Sequence, residues 1–552
     1  MHKCIRLEDL NLPQFDDPEL SEFLRLEIGR LWGVVDWQQA KIEVCSKIDD
    51  LLSKGSVIKI AWYGDGVQAK KVLHELISLY DIEGIQWFII EKDLNETEDQ
   101  LQAKTVLLND WCYEDFNLTI NAVRDTPLLF NSTHESSRED VLSPFSSEQC
   151  QFRAWNKNLK NARIFLEKIN AELENNKVIV FIALRHGNFP SIEHIAKGLA
   201  QLSGVKVYGI YLESDIPENV YEDVFTCNYS LGLLAELVRN LPSMAVYLQA
   251  HASWAFLGRF VSSANKKLRV IQEVYDWMGA FIADEALFSC EGVFSTKQIS
   301  LMKESEDYIR NFSDGYIYKD DGSWMKDKVR NSSSPSLKIY PCPPLAYLKE
   351  PKEPEKNAVI KLVYAGQVSH ERQSKKIFGD MYYIPVIKDL TNQGFHVTVY
   401  NAVQNTRRHP LELYQEYLDE ADNSDLFEFK SGIPMPDILD ELHGKYHFGL
   451  IAYYFEDDLH VGKDHIKGTM ASKLFTYLAS GMPVIVSDQF EYMAKIVESE
   501  GIGIVVARND LQNLARLLDS FDYQEMLDNV LLAQQKYNID SKIPEIMELL
   551  EA

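Results

Sequence analysis

The chain has 552 residues, which at roughly 100–200 residues per domain means about three to five domains. Hydrophobic residues make up 46% and charged residues 25%, which excludes a mainly disordered or fibrous chain. With 56 basic and 83 acidic residues, the net charge of −27 excludes nucleic acid or anionic membrane as partners of the overall field, while leaving room for a local basic phosphate pocket. No apolar run reaches the length of a membrane span, about 18 residues. The start, MHKCIRLEDL, has no apolar core of the signal-peptide kind. Cys4, Cys45, Cys112, Cys150, Cys227, Cys290 and Cys342 are dispersed with no CxxC pair. They point to reduced thiols in a cytoplasmic protein and away from a disulfide framework or zinc ribbon.

Residues 1–54 are polar and helical in pattern. A first small α/β module covers 55–130. It holds the strand VIKIAWY (57–63), a helix over 67–80 and the strand IQWFII (85–90). TVLL (105–108), LTINAV (118–123) and PLLF (127–130) are shorter strands. Residues 131–176 form a polar linker and a helix over 153–175, with Trp155, Leu159, Ala162, Leu166, Ile169 and Leu173 on one face.

A second block, 177–345, opens on VIVFIAL (178–184), an unbroken apolar run of the kind buried in parallel sheets. A helix near 190–203 follows, then strands at 205–212, 244–250 and 268–275, and shorter ones at 293–295 and 315–319. Its end, 328–344, is rich in Ser and Pro. Residues 346–357 are charged, contain proline and read as an interdomain linker. The third block, 358–552, alternates strands at 358–366, 395–402, 426–432, 448–454, 483–487 and 503–506 with helices, one of them over 380–392. Strands alternating with helices predict two doubly wound, Rossmann-like parallel sheets facing a cleft, preceded by the smaller α/β module.

The motif KLFTYLASGMPVIVSDQFEYMAKIVESEGIGIVV (473–506) resembles the C-terminal signature of GT-B glycosyltransferases of the GT4-like branch. Lys473, Ala479, Gly481, Pro483, Val484 and Ile485 stand in the signature's places. VYAGQVSHERQSKK (363–376) is similar to the family's phosphate loop, and EFKSGIP (428–434) to its base-contacting segment. More weakly, 246–277 resembles the family's run of strand, histidine, small helix, strand and aspartate. The resemblance covers about 178–552 and implies transfer of a sugar from a nucleotide-sugar donor, such as a UDP- or GDP-sugar, to a glycan, lipid-linked or protein acceptor. It also implies surface polysaccharide or glycoconjugate biosynthesis, and no required metal or other cofactor. The thirteen histidines, free of HxH and HExxH spacing, agree with that.

Such a transfer builds negative charge on the departing diphosphate, which cations and helix N-termini stabilise. Gly366 would let backbone approach the phosphate, with Arg372, Lys375 and Lys473 as the charge clamp. Ser431, Gly432, Ile433 and Thr476 would meet the base and ribose. On the acceptor side, His251, Asp276 and His186 are the catalytic candidates, and Arg185, Gly187 and Asn188 form the acceptor loop. The plainer alternatives are solvated charges for Arg372 and Lys375, a core or capping histidine at 251 and an N-cap at 276.

One departure stands out. Many members of that branch carry two glutamates eight positions apart, and Gly468 and Thr476 occupy those places. Glu456, Asp457, Asp458 or Asp464 are the substitutes nearby. The gap admits a non-catalytic partner subunit; a sugar-nucleotide epimerase on the same fold is a separate alternative. In the first module, Gly64-x-Gly66-x-x-Ala69 follows a strand and Glu91 ends the next, which matches a dinucleotide fingerprint in a module too short for a full dinucleotide fold.

Overall fold

A computed structural model describes residues 58–63, 85–90, 118–123, 126–131, 161–184, 191–212, 220–227, 231–250, 254–274, 276–277, 296–320, 333–354, 359–371, 379–402, 411–455 and 462–552. The chain divides into two compact units, one of 1–168 with 227–240, the other of 169–226 with 241–552.

The first unit holds a four-stranded sheet in the order β2-β1-β3-β4. β1 (Ile58–Tyr63) pairs in parallel with β2 (Ile85–Ile90) on one side and β3 (Leu118–Val123) on the other. β4 (Thr126–Asn131) folds back antiparallel to β3. The carboxyl end of β1 is therefore a switch point, where Gly64 and Gly66 follow in sequence. Gly64, Gly66, Glu91, the helix expected over 67–80 and the strand expected at 105–108 lie outside the described residues. Between the units in sequence, a helix runs over 161–172 and buries Ala162, Phe165, Leu166 and Ile169.

The second unit contains two sheets, both fully parallel. The first has seven strands in the order β11-β10-β9-β8-β5-β6-β7. They are β5 (Lys177–Ala183), β6 (Val205–Tyr211), β7 (Asp223–Thr226), β8 (Ala245–Gln249), β9 (Arg269–Glu273), β10 (Gly315–Tyr318) and β11 (Ser336–Lys338). The run Val178–Ala183 is buried on both faces, as a central parallel strand requires. The chain winds from β5 outward to β7, then restarts at β8 on the other side of β5. The switch point thus lies between β5 and β8.

Two edge strands differ from the sequence reading. β7, where no strand was expected, is only four residues long, and β11 is a three-residue strand inside the Ser- and Pro-rich stretch. Pro335, immediately before β11, cannot donate to a ladder, but its carbonyl accepts the Tyr316 N–H at 3.0 Å. Short edge strands next to proline carry too little apolar pattern to be seen. The strand expected at 293–295 lies outside the described residues.

The second sheet has six strands in the order β14-β13-β12-β15-β16-β17. They are β12 (Lys361–Gly366), β13 (His396–Asn401), β14 (Phe427–Ser431), β15 (Phe448–Ile451), β16 (Val484–Ser487) and β17 (Gly503–Val506). Its switch point falls between β12 and β15. The helix expected over 380–392 begins only at Ile384, after a short 3-10 turn at Gly379–Met381, with Pro385 in its first turn where a missing N–H costs nothing.

The segment read as a linker is fastened to this second domain over the residues described. Lys349 N–H donates to the Ala479 carbonyl at 2.7 Å, and the Lys349 carbonyl accepts from Gln534 at 2.8 Å. Pro351 lies against Gly481, which has φ +76° and so takes a conformation that favours glycine. The signature glycine thus ends one helix and admits the strap. The C-terminal helix Ile543–Glu551 returns to the seven-stranded sheet, burying Ile543, Ile546 and Leu550 with Ile179, Ile195 and Leu199.

His194, beside them in the helix Ser191–Ala200, is 4% exposed, and its pKa falls from 6.5 to about 4, chiefly through burial. The unfolded chain therefore binds a proton there that the folded chain refuses, so stability falls as pH drops from 6.5 toward 4. The expected loss is on the order of 3 kcal/mol from this one residue. Urea unfolding at pH 7 and pH 4.5 checks it: His194→Gln should show a smaller pH-dependent loss than the parent chain.

Candidate active site

The carboxyl ends of β12 and β15 meet at the switch point of the six-stranded sheet, where ligands of open α/β sheets bind. Tyr477, fully buried on the helix Ser472–Ala479, bridges these two strands: its hydroxyl accepts from Ala365 N–H at 2.8 Å and donates to the Leu450 carbonyl at 3.3 Å. The ring lies flat against Gly449 of β15. A Cβ there would come within 2.3 Å of it.

One turn earlier on that helix, Lys473 reaches back over the end of β12. A Cβ on Gly366 would meet Lys473 Cε at 2.0 Å and Nζ at 2.8 Å, so glycine is required for the ammonium to sit there. The Nζ lies 5.4 Å from the ring centroids of both Tyr364 and Tyr453. Lys473 occupies the first turn of its helix, whose N-terminal residue Ala471 offers no side-chain cap. Helix N–H groups and an ammonium together make a concentration of positive charge suited to an anion.

The loop after Gly366 is held by its backbone. Gln367 O accepts from the Tyr364 hydroxyl at 2.7 Å, and Val368 N–H donates to Asn401 Oδ1 at 3.3 Å. Ser369 N–H donates to the Met381 carbonyl at 2.9 Å, while Ser369 O accepts from Tyr417 at 3.0 Å. Arg372 and Lys375, the other expected clamp residues, lie outside the described residues. Gly432 closes the neighbouring strand ends: its N–H donates to Asn401 O at 2.8 Å, and a Cβ would meet Ala402 Cα at 2.5 Å. Ser431, beside it, is exposed, and Ile433 is half-buried against the domain core.

Thr476 turns its hydroxyl inward to the Ser472 carbonyl at 3.3 Å, and Gly468 is buried at the end of the helix Lys463–Gly468. Neither place supplies a group like a carboxylate. The side chains of Glu456, Asp457, Asp458 and Asp464 lie outside the described residues.

On the seven-stranded sheet, residues 185–190 and 251–253 follow in sequence β5 and β8, the two strands that flank its switch point. Arg185, His186, Gly187, Asn188 and His251 all fall in them, outside the described residues. Asp276, after β9, is described: its Oδ1 pairs with Lys319 Nζ at 3.0 Å, and Lys319 is nearly buried after β10. His465, from the helix Lys463–Gly468, feels both. Desolvation lowers its pKa to about 4, Asp276 pulls it upward and Lys319 pushes it down. Glu273, buried at the end of β9, accepts from Tyr247 at 2.8 Å and from Gln249 at 3.1 Å. Sequence reasoning missed Tyr364, Tyr453, Lys319, Glu273 and His465. No motif marked the two tyrosines: each lies in an ordinary apolar strand run, and only the pairing of β12 with β15 brings them to one lysine.

Residues 395–539 match the family model described as glucosyltransferase 3-like, C-terminal domain. The matched residues hold five of the six strands of this sheet and resemble a glycosyltransferase domain. Among solved structures the chain is similar to Anabaena HepE in complex with UDP and glucose, at 13% identity and TM-score 0.47, covering 68% of this chain and 99% of that one. It is also similar to a Burkholderia multivorans trehalose 6-phosphate synthase, at 10% identity and TM-score 0.44, covering 68% and 98%. A Thermobaculum terrenum O-GlcNAc transferase mutant is similar at 12% identity and TM-score 0.41, covering 68% and 66%. No curated protein matches the chain. The GT4-like branch remains a resemblance; the matching model names the glucosyltransferase 3-like domain. Lys473, Tyr453, Tyr477, Gly432 and Gly449 fall within the matched residues, and Tyr364 precedes them on β12. No described helix is long and apolar enough to cross a membrane.

Proposed function

We propose that the chain transfers a sugar from a nucleotide-sugar donor to a glycan, lipid-linked or protein acceptor in the cytoplasm, in the assembly of a surface polysaccharide or glycoconjugate. The observation that carries the reading is the Lys473 ammonium seated over Gly366 at the switch point of a domain that matches a glucosyltransferase family. In this reading the bond from the anomeric carbon to the diphosphate oxygen breaks while the acceptor oxygen bonds that carbon. Charge collects on the departing diphosphate, where Lys473, the helix N-terminus at Ser472 and the candidate cations Arg372 and Lys375 would stabilise it. The acceptor's proton passes to the departing phosphate or to a base on the seven-stranded sheet, where His251, His186 and Asp276 are the candidates. In this reading Lys473, with Arg372 and Lys375, would neutralise the leaving group without a metal.

A panel of UDP- and GDP-sugars tests this, with thermal shift for binding and release of nucleoside diphosphate for turnover. At least one donor should raise the melting temperature and yield diphosphate at a rate that a suitable acceptor increases. Binding without turnover, alongside co-purification with an active transferase, would favour the non-catalytic partner. Released sugar-nucleotide isomers without any acceptor would favour an epimerase.

A further inference from the structure

We propose that Tyr364 and Tyr453 are positioning residues for the donor diphosphate: their ring faces hold the Lys473 ammonium over Gly366, and their joined hydroxyls tie it to the loop beginning at Gln367. The inference rests on the reading of Lys473 as a diphosphate contact.

The two rings meet edge to face, with centroids 5.8 Å apart and planes at 84°, so they form a corner rather than a stack. Lys473 Nζ is 5.4 Å from each centroid, inside the reach of cation–π attraction. Both rings are buried, which strengthens that attraction, and each is neutral, so it can hold an ammonium without adding a formal counter-charge. The hydroxyls fix the corner. Tyr364 has one proton, and it donates to the Gln367 carbonyl at 2.7 Å. In the hydroxyl pair, Tyr453 is therefore the donor and Tyr364 the acceptor. The chain of bonds runs from Tyr453 through Tyr364 to the first residue of the loop after Gly366. One phenol pair thus sets both halves of the clamp, the lysine and the backbone. Tyr383 packs on Tyr364 at 4.3 Å between centroids and keeps that ring from turning away.

The test titrates UDP and GDP, each beside its own nucleoside, against the parent chain, Lys473→Ala, Tyr453→Leu, Tyr453→Phe and the double variant Lys473→Ala/Tyr453→Leu. Tyr453→Leu should weaken diphosphate binding by about 2- to 30-fold, the span of a desolvated cation–π contact. It should leave nucleoside affinity unchanged. Tyr453→Phe, which keeps the ring, should recover most of the loss. In the Lys473→Ala background, Tyr453→Leu should cost nothing further, as coupled residues require. Equal losses for nucleoside and diphosphate, or additive losses in the double variant, would mean that the tyrosine only supports the core, and would overturn the inference while sparing the lysine's role. If Lys473→Ala itself binds diphosphate as well as the parent, the clamp reading fails and this inference fails with it.

Discussion

Replacing Lys473 by alanine should weaken nucleoside diphosphate binding by roughly 10- to 100-fold, the worth of one hydrogen bond to a charged group. Turnover should fall by a similar factor, because the lysine faces charge that grows as the diphosphate leaves. Stability should change little. The side chain is half-buried and the helix Ser472–Ala479 keeps Leu474, Phe475, Tyr477 and Leu478 in the core. Alanine also favours the helix, and removes a cation from its positive end. Calorimetric titration alongside a urea melt separates the two effects. A variant with parent-like affinity would show that Lys473 is only a packed charge beside Gly366.

Gly449→Ala should act the opposite way, on the fold first and the site second. The added Cβ would fall 2.3 Å from the Tyr477 ring, and that ring is fully buried with both of its hydroxyl contacts on strand backbone. The ring must move or the strands must part. Overpacking a close core costs about 1–3 kcal/mol, and each displaced hydrogen bond about 1 more. A total loss of roughly 2–4 kcal/mol is expected, read as a lower urea midpoint with an unchanged slope. Because Tyr477 spans the ends of β12 and β15, diphosphate affinity should also fall in the fraction that stays folded. An unchanged midpoint would mean that the switch point tolerates rearrangement, and that Tyr477 does not set its shape.

The two parallel sheets were legible because their central strands are long apolar runs, such as Val178–Ala183 and Lys361–Gly366, spaced by helical patterns. The short edge strands β7 and β11 were not, since pairing with a neighbour, rather than their own pattern, makes them strands. In the site, Lys473 and Gly366 could be read from their places in a signature, and the structure puts their atoms together. Tyr364 and Tyr453 could not. Their spacing is that of ordinary strand residues, and only the register of β12 beside β15 brings them to one lysine. The strap at 349–354 was hidden for a related reason. Its charged, proline-containing composition is that of a linker, while its backbone groups find partners on Ala479 and Gln534, far along the chain. Asp276 was a catalytic candidate, and its described partner is Lys319, a residue whose position after a short strand gave no motif.

A crystal structure with a bound nucleoside diphosphate tests the central claim most directly. The diphosphate should lie at the carboxyl end of β12, within hydrogen-bond reach of Lys473 Nζ and of the loop beginning at Gln367, with the base toward Gly432. A nucleotide seated instead at the end of β1, or at the switch point of the seven-stranded sheet with the end of β12 vacant, would contradict it.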